Sequence, residues 1–243
     1  MAFSFQPKVV SDGLVLYVDA GNTKSYPGSG TVWTDLSSTQ ITGSLTNGPT
    51  FNSASGGSIR FDGTNDYVDL GTNSTLNFTG PFSVSVWTNV NLSGQSQYFV
   101  NRWTYGTGNF RQWSIDNLKG GIYPAPVQSL FHFRISSNGT DAGSVFISSS
   151  VSASYSNNWV NVCAIWDASF IYLYINGLSA NTRVSAPTMV STSGQKTFIG
   201  GSDTGTALPP SGSIAITSIY NRALSATEVL QNYNALKGRF GLT

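Results

Sequence analysis

From Gly13 to Tyr220 the chain repeats one pattern: short runs in which apolar and polar residues alternate, or a few apolar residues run together, each closed by Gly, Asn, Ser or Pro. The runs are GLVLYVDA, SIRF, YVDLG, FSVSVWTNV, QYFVNRW, FRQWSI, SLFHFRI, SVFISS, WVNVCAIWD, FIYLYING, KTFIGG and SIAITSIY. A period of two is the signature of a strand, because successive side chains point to opposite faces of a sheet. Between the runs there is no helical periodicity of the kind a βαβ crossover needs. The pattern therefore predicts an all-β antiparallel sandwich. No linker interrupts it, so one domain is expected over residues 13–224, preceded by an arm at 1–12 and followed by a helix and tail at 225–243.

Individual runs refine this. In FSVSVWTNV, Phe82, Val84, Val86 and Thr88 share one face and Ser83, Ser85 and Trp87 the other, which predicts a half-buried strand. WVNVCAIWD is apolar on both faces and predicts a central strand covered on both sides. Asp167-Ala168-Ser169 then leads into FIYLYING, a hairpin whose second strand ends in an Asn176-Gly177 turn. Helical signals appear only at the end. Ser225 to Glu228 fits a capping box, Val229, Tyr233 and Leu236 form a stripe with Leu230 beside it, and Lys237-Gly238 reads as a stop. The stripe should dock on the sandwich. The segments before Asp12 and after Gly238 carry few apolar residues, which leaves frayed ends and docking arms as equal alternatives.

Only 9% of residues are charged, so the surface must be covered by Ser, Thr, Asn, Gln and Gly, while 40% hydrophobic residues exclude a disordered chain. The net charge is +1 and no two basic residues are adjacent, so nothing resembles a phosphate-binding footprint, and nucleic acid is not an expected partner. The N-terminus lacks the pattern of an export signal and no apolar run is long enough for a membrane span; neither export nor membrane attachment is expected. The single cysteine, Cys163, lies inside an apolar alternation and reads as a buried structural thiol.

Catalytic signals are weak. Ten of the eleven acidic residues are Asp, and the one Glu, Glu228, is claimed by the helix cap. Glycoside hydrolysis by retention needs two carboxylates about 5 to 5.5 Å apart across the sugar. No strand here carries an acidic ladder, and Asp66 and Asp69, three residues apart, would point to opposite faces of a strand. The only histidine, His132, alternates with Leu130 and Arg134 and reads as a strand residue on a groove or solvent face. There is no Gly-x-Ser-x-Gly elbow and no phosphate loop. No catalytic residue is expected.

Four blocks carry a family resemblance: GLVLYVDAGNTKSYPGSGTVWTDLS, LTNGPTFNSASGGSIRFDGTNDYVDLG, the W-x-x-V-x-A-I-W-D segment followed by LYINGL, and SIYNRALSATEVLQNY. In order and spacing these resemble laminin G-like, concanavalin A-like jelly-roll domains. The resemblance implies two antiparallel sheets face to face, with a concave face that in many relatives binds sugars or proteins. The first and last blocks look most like versions found in bacteriophage virion proteins. In calcium-binding relatives the Phe-Asp-Gly-x-x-Asp turn meets acids from the penultimate strand; here Ala215 and Ile216 stand at those places. The implied Ca²⁺ site is reduced to Asp62, Asn65 or Asp66, carbonyls and water, short of the six to eight oxygens calcium takes. The alternative is that Asp62 to Asn65 forms a tight turn with positive φ at Gly63.

The resemblance implies a non-enzymatic bacteriophage virion structural protein, a capsid decoration or cement protein or a fibre component. It would be made in the host cytoplasm, placed on the exterior of the particle, and bound to other virion proteins in a symmetric or homo-oligomeric assembly. The alternative is a carbohydrate-binding lectin module or host-surface adhesin. For a host glycan, the candidate contacts are Trp103, Tyr105 and Trp113 around a Gly-rich turn; Arg102 and Arg111 would serve sugar or a protein partner alike. A third reading has the same aromatics closing one edge of the core.

Overall fold

The computed structural model describes residues 7–92, 95–104, 110–117, 130–149, 155–186, 188–191, 193–202 and 208–243. Among these, the strands are β1 (Leu14–Asp19), β2 (Val32–Thr34), β3 (Thr42–Thr46), β4 (Thr50–Asn52), β5 (Ser58–Asp62), β6 (Tyr67–Asp69), β7 (Phe82–Val90), β8 (Gln97–Trp103), β9 (Arg111–Asn117), β10 (His132–Ser136), β11 (Ser144–Ser148), β12 (Val160–Trp166), β13 (Phe170–Ile175), β14 (Leu178–Ser179), β15 (Val184–Ser185), β16 (Phe198–Ile199) and β17 (Ser211–Tyr220); helix α1 (Ala226–Leu236) follows. They form two sheets. The first runs β14-β13-β12-β7-β17-β5-β4, with β1 also on β17 and β15 also on β13; the second runs β11-β10-β9-β8-β16-β6-β3-β2. The pairings are antiparallel. This is the sandwich that the alternation predicts.

The core lies between the sheets. Phe82 of β7 is central to it, stacked on Phe78 at 4.6 Å and within 5.6 Å of Trp113 and 6.0 Å of Phe133, both from the second sheet. The predicted hairpin forms, β12 pairing with β13, and at the predicted turn Asn176 and Gly177 both take positive φ (51° and 78°), as a tight two-residue turn into β14 requires.

β7 departs from the half-buried strand expected of it, since both of its faces are covered. Ser83 donates its hydroxyl to the Arg222 carbonyl (2.9 Å) and accepts from the Leu224 amide (2.9 Å). Trp87 stacks on Tyr233 (5.7 Å between ring centroids) and on Phe240 (4.3 Å). The covering layer is the end of the chain itself. Helix α1 begins at the predicted capping box: Ser225 accepts from the Glu228 amide, and Glu228 accepts from the Ser225 amide. Bidentate contact with Arg222 (2.6 and 3.0 Å) and the Ser225 amide hold the Glu228 carboxyl down at about 2. Val229 and Tyr233 are buried on the predicted stripe, and Leu230 stays exposed.

Of the segments that composition left undecided, residues 8–10 and 239–240 are docked on the chain's own fold, and residues 1–6 lie outside the described residues. Arg239 pairs with Asp19 (2.6 Å) and donates to the Ser55 carbonyl, and Phe240 is buried against Trp87. At the other end the Val10 amide donates to Asn232 (2.8 Å), Tyr220 donates to the Val10 carbonyl, and Gln231 donates to the Lys8 carbonyl. Cys163 is buried beneath this layer, and burial pushes its thiol up to about 12.

Candidate functional site

The segment FDGTND connects β5 in the first sheet to β6 in the second, so it bridges the two layers at the sandwich edge. Asp62 Oδ1 accepts from the Thr64 amide (2.7 Å), and Asp66 Oδ2 accepts from the Asp62 amide (3.0 Å). Asn47 ties the turn to the β3–β4 loop by donating to the Asn65 carbonyl (2.9 Å). Gly63 has φ +82°, and a Cβ there would come within 3.1 Å of Ser211, so both conformation and space favour glycine. Asp66 is 3% exposed; burial raises its pKa, the Asp62 amide opposes that, and the Asp62 charge adds to it.

Beside the turn lies an open cleft of ≈ 630 Å³. Its lining is polar: Asn47, Thr50, Arg60, Asp62, Asp66, Asn91, Asn157 and Ser211. The β5 alternation explains the placement. Ile59 and Phe61 point into the core, which turns Arg60 and Asp62 outward, opposite Thr50 of β4 and Ser211 of β17 respectively. Arg60 is exposed and makes no ion pair among the described residues. A smaller cleft of ≈ 240 Å³ lies on the other side of Asp62 and Ser211, lined also by Gln95 and Gln97.

At the place implied for Ca²⁺, Asp62 and Asp66 each give one carboxylate oxygen to a turn amide, and the penultimate strand brings no acid. A bulge between Ile214 and Ile216 in the β17–β7 register puts Ala215 and Ile216 on the same outer side, buried in the apolar cluster of Trp87, Tyr233 and Phe240. Among the described residues no group of three or more His, Cys, Asp or Glu is arranged to hold a metal.

The aromatic contacts read from the sequence are corrected by burial. Trp103 and Trp113 are both 0% exposed, so neither ring presents a face on which a sugar can stack. Trp113 belongs to the inter-sheet core against Phe82 and Phe78. Arg102, 1% exposed, points inward and donates to Thr197 (3.0 Å), and burial lowers its pKa to about 10. Arg111 pairs with Asp141 at 3.3 Å. Tyr105 lies outside the described residues.

Trp103 belongs instead to the outer face of the second sheet. There Arg134 lies over its ring at 4.0 Å and pairs with Asp116 at 2.7 Å, with both charged side chains fully buried. Ser114 donates to the same Asp116 oxygen, and Arg134 reaches the Tyr98 hydroxyl (3.3 Å). His132, opposite Asp116 across β9 and β10, contacts Ser148 at 2.8 Å through Nδ1. It is fully buried, not on the groove or solvent face expected of it; burial lowers its pKa, against the pull of Asp116 and with the push of Arg134.

Residues 62–230 match the family described as the concanavalin A-like lectin/glucanases superfamily. The chain belongs to that superfamily. The concanavalin A-like sandwich also superposes on the binding domain of Paraclostridial Mosquitocidal Protein 1, with TM-score 0.69 and 19% identity over 92% of this chain and 52% of that one. The botulinum neurotoxin serotype D ligand binding domain, solved with N-acetylneuraminic acid, gives TM-score 0.68 and 15% identity over 92% and 51%. A structure from work on the dependence of botulinum neurotoxin type C cell entry on two ganglioside molecules gives 0.68 and 16% over 93% and 52%. The chain thus spans about half the length of these neighbours, and at such identities the likeness is one of fold. Comparison with curated proteins gave no match.

The polar cleft was missed in the sequence, apart from Asp62 and Asp66. Its signal was present in SIRFD, where alternation alone turns Arg60 and Asp62 to the same outer side.

Proposed function

We propose that this concanavalin A-like chain is a non-catalytic recognition module on the exterior of a bacteriophage particle, as a capsid decoration or fibre component, acting by contact with other virion proteins. The observation that carries the reading is the joining of the two chain ends, whose sequence blocks resemble phage virion proteins. β1 pairs with β17, residues 8–10 bond to α1, and Arg239 bonds to Asp19, so the two blocks make one rigid unit. Particle purification followed by mass spectrometry tests it: the protein is expected in stoichiometric amounts, and its absence from purified particles overturns the assignment.

A second reading, recognition of a host glycan, is favoured by the lining of the ≈ 630 Å³ cleft. Arg60 and the Asn47, Asn91 and Asn157 amides supply donors, and Asp62 and Asp66 supply acceptors, the mixture that a polyhydroxylated ligand uses. Solved neighbours bound to N-acetylneuraminic acid or studied with gangliosides support the same class of ligand. On a glycan array, a saturable signal that falls on Arg60→Ala is expected; an array without signal removes this reading and leaves the particle assignment untouched.

A further inference from the structure

The dipeptide Asn-Gly occurs three times in the chain, at 47–48, 138–139 and 176–177. Each copy favours attack of the glycine nitrogen on the preceding side-chain amide, because glycine puts no side chain in the way and asparagine is thermolabile. The fold treats the three differently. The Gly139 amide is buried and donates to Ser136 Oγ (3.0 Å), while Asn138 Oδ1 accepts from the Thr140 amide and hydroxyl (3.0 and 2.7 Å). Gly177 is buried too, so close to Leu230 and Tyr233 that a Cβ would come within 3.1 Å of each, and Asn176 Oδ1 accepts from the Asn161 amide (2.9 Å). Asn47 and Gly48 are both exposed. Among the described residues the Gly48 amide donates no hydrogen bond and Asn47 Oδ1 accepts none; the Asn47 side chain is held only by donation from Nδ2 to the Asn65 carbonyl (2.9 Å).

We propose that Asn47 is a site of self-modification in the folded protein, converting to aspartate and isoaspartate, and that the conversion frees the FDGTND turn and makes the polar cleft more acidic. The Gly48 nitrogen, losing its proton to water, attacks Asn47 Cγ; the Cγ–Nδ2 bond breaks and the side-chain nitrogen leaves as ammonia. Water then opens the cyclic imide at either carbonyl, leaving aspartate or, with the main chain rerouted through Cγ, isoaspartate at position 47. Water is the only co-reactant, and the exposed loop admits it. A carboxylate at 47 has no proton to donate, so it meets the Asn65 carbonyl as acceptor against acceptor, and the tie between the turn and the β3–β4 loop is lost. It also adds a third carboxylate to a cleft lined by Arg60, Asp62 and Asp66. Gly48 stands beside that cluster, since a Cβ on it would lie 3.9 Å from Asp66 Oδ1. These consequences hold whatever the cleft binds.

The test is peptide mapping by mass spectrometry of the full chain held at mildly alkaline pH, both folded and in guanidinium chloride. In the folded chain the peptide carrying Asn47 is expected to convert at least tenfold faster than those carrying Asn138 and Asn176, with isoaspartate detected at position 47; in denaturant that gap should close. Asn47→Gln, whose longer side chain closes the ring more slowly, should remove the fast conversion. Asn47→Asp, made directly, should speed deuterium exchange of the Asp62 and Thr64 amides at least threefold and leave the Gly139 amide unchanged. Folded-state conversion at Asn138 or Asn176 that matches Asn47, or a ranking that stays the same in denaturant, overturns the site. Unchanged exchange at Asp62 and Thr64 in Asn47→Asp overturns its coupling to the turn. The glycan array and the particle proteomics are decided separately, so failure of either leaves these readouts intact.

Discussion

On the outer face of the first sheet Trp87 stacks on Tyr233 and Phe240, whereas on the outer face of the second Arg134 is clamped by Asp116 and lies over Trp103. Both places are closed to solvent, yet the first is closed with carbon and the second with charge. Burying aromatic area is favourable wherever the packing is good. Burying an ion pair carries a desolvation cost that its attraction roughly repays, so the pair contributes little while whole and costs much when halved. The contrast teaches that a covered sheet face can be a source of stability or a condition on it.

Four experiments sharpen or break that contrast. The largest effect is expected from Trp87→Ala, which empties the stack under Tyr233 and Phe240: about 4 kcal/mol lost in denaturant unfolding. A loss below about 1 kcal/mol would mean that the terminal layer is not part of the cooperative core. Next, Asp116→Ala should cost about 3 kcal/mol by taking from the buried Arg134 its 2.7 Å partner and leaving the longer pair with Asp141 (3.7 Å), whereas Asp116→Leu combined with Arg134→Met should return to near the wild-type value. A double variant that stays well below the wild-type stability would instead mark the pair as a net stabiliser, and strictly additive losses would mean that the two residues are not coupled.

The third effect concerns pH. His132 is buried neutral and its pKa is lowered, so the unfolded chain binds the extra proton first as pH falls below 6.5. Stability from this group is full above pH 6.5 and declines as pH drops through the lowered value. Thermal melts from pH 7.5 to 5 should fall more steeply for the wild type than for His132→Gln; equal slopes would mean that the histidine is not held neutral. The smallest effect is a null in stability with a clear chemical readout. Burial pushes Cys163 up to about 12, so a thiol reagent at pH 8 should leave the folded protein unlabelled and modify one site per chain after unfolding. Rapid labelling of folded protein would show that the layer above Cys163 opens.

The fold was legible in the sequence, and the site only in part. The longer strands, though not the short β2, β3, β4, β14 and β15, together with the β12–β13 hairpin, the Asn176-Gly177 turn and the Ser225 capping box, follow from local rules that act over a few residues. Asp62, Gly63 and Asp66 were legible as turn chemistry for the same reason. The Arg60 cleft was not, because Asn91, Asn157 and Ser211 reach it from segments far along the chain. The expectation for Trp103, Trp113 and Arg102 failed on a different point: alternation says which residues share a face and is silent on what covers that face.

By itself, then, the sequence determined a two-layer antiparallel sandwich with one capped helix, since period-two patterning and turn residues constrain the backbone locally. Only the tertiary structure decided that FDGTND crosses between sheets, that a bulge at Ala215 turns two neighbours to one side, and that Phe240 completes the core over Trp87. Each of these depends on contacts between residues far apart in the chain, where the free energy comes from burial and fit, which no local pattern records.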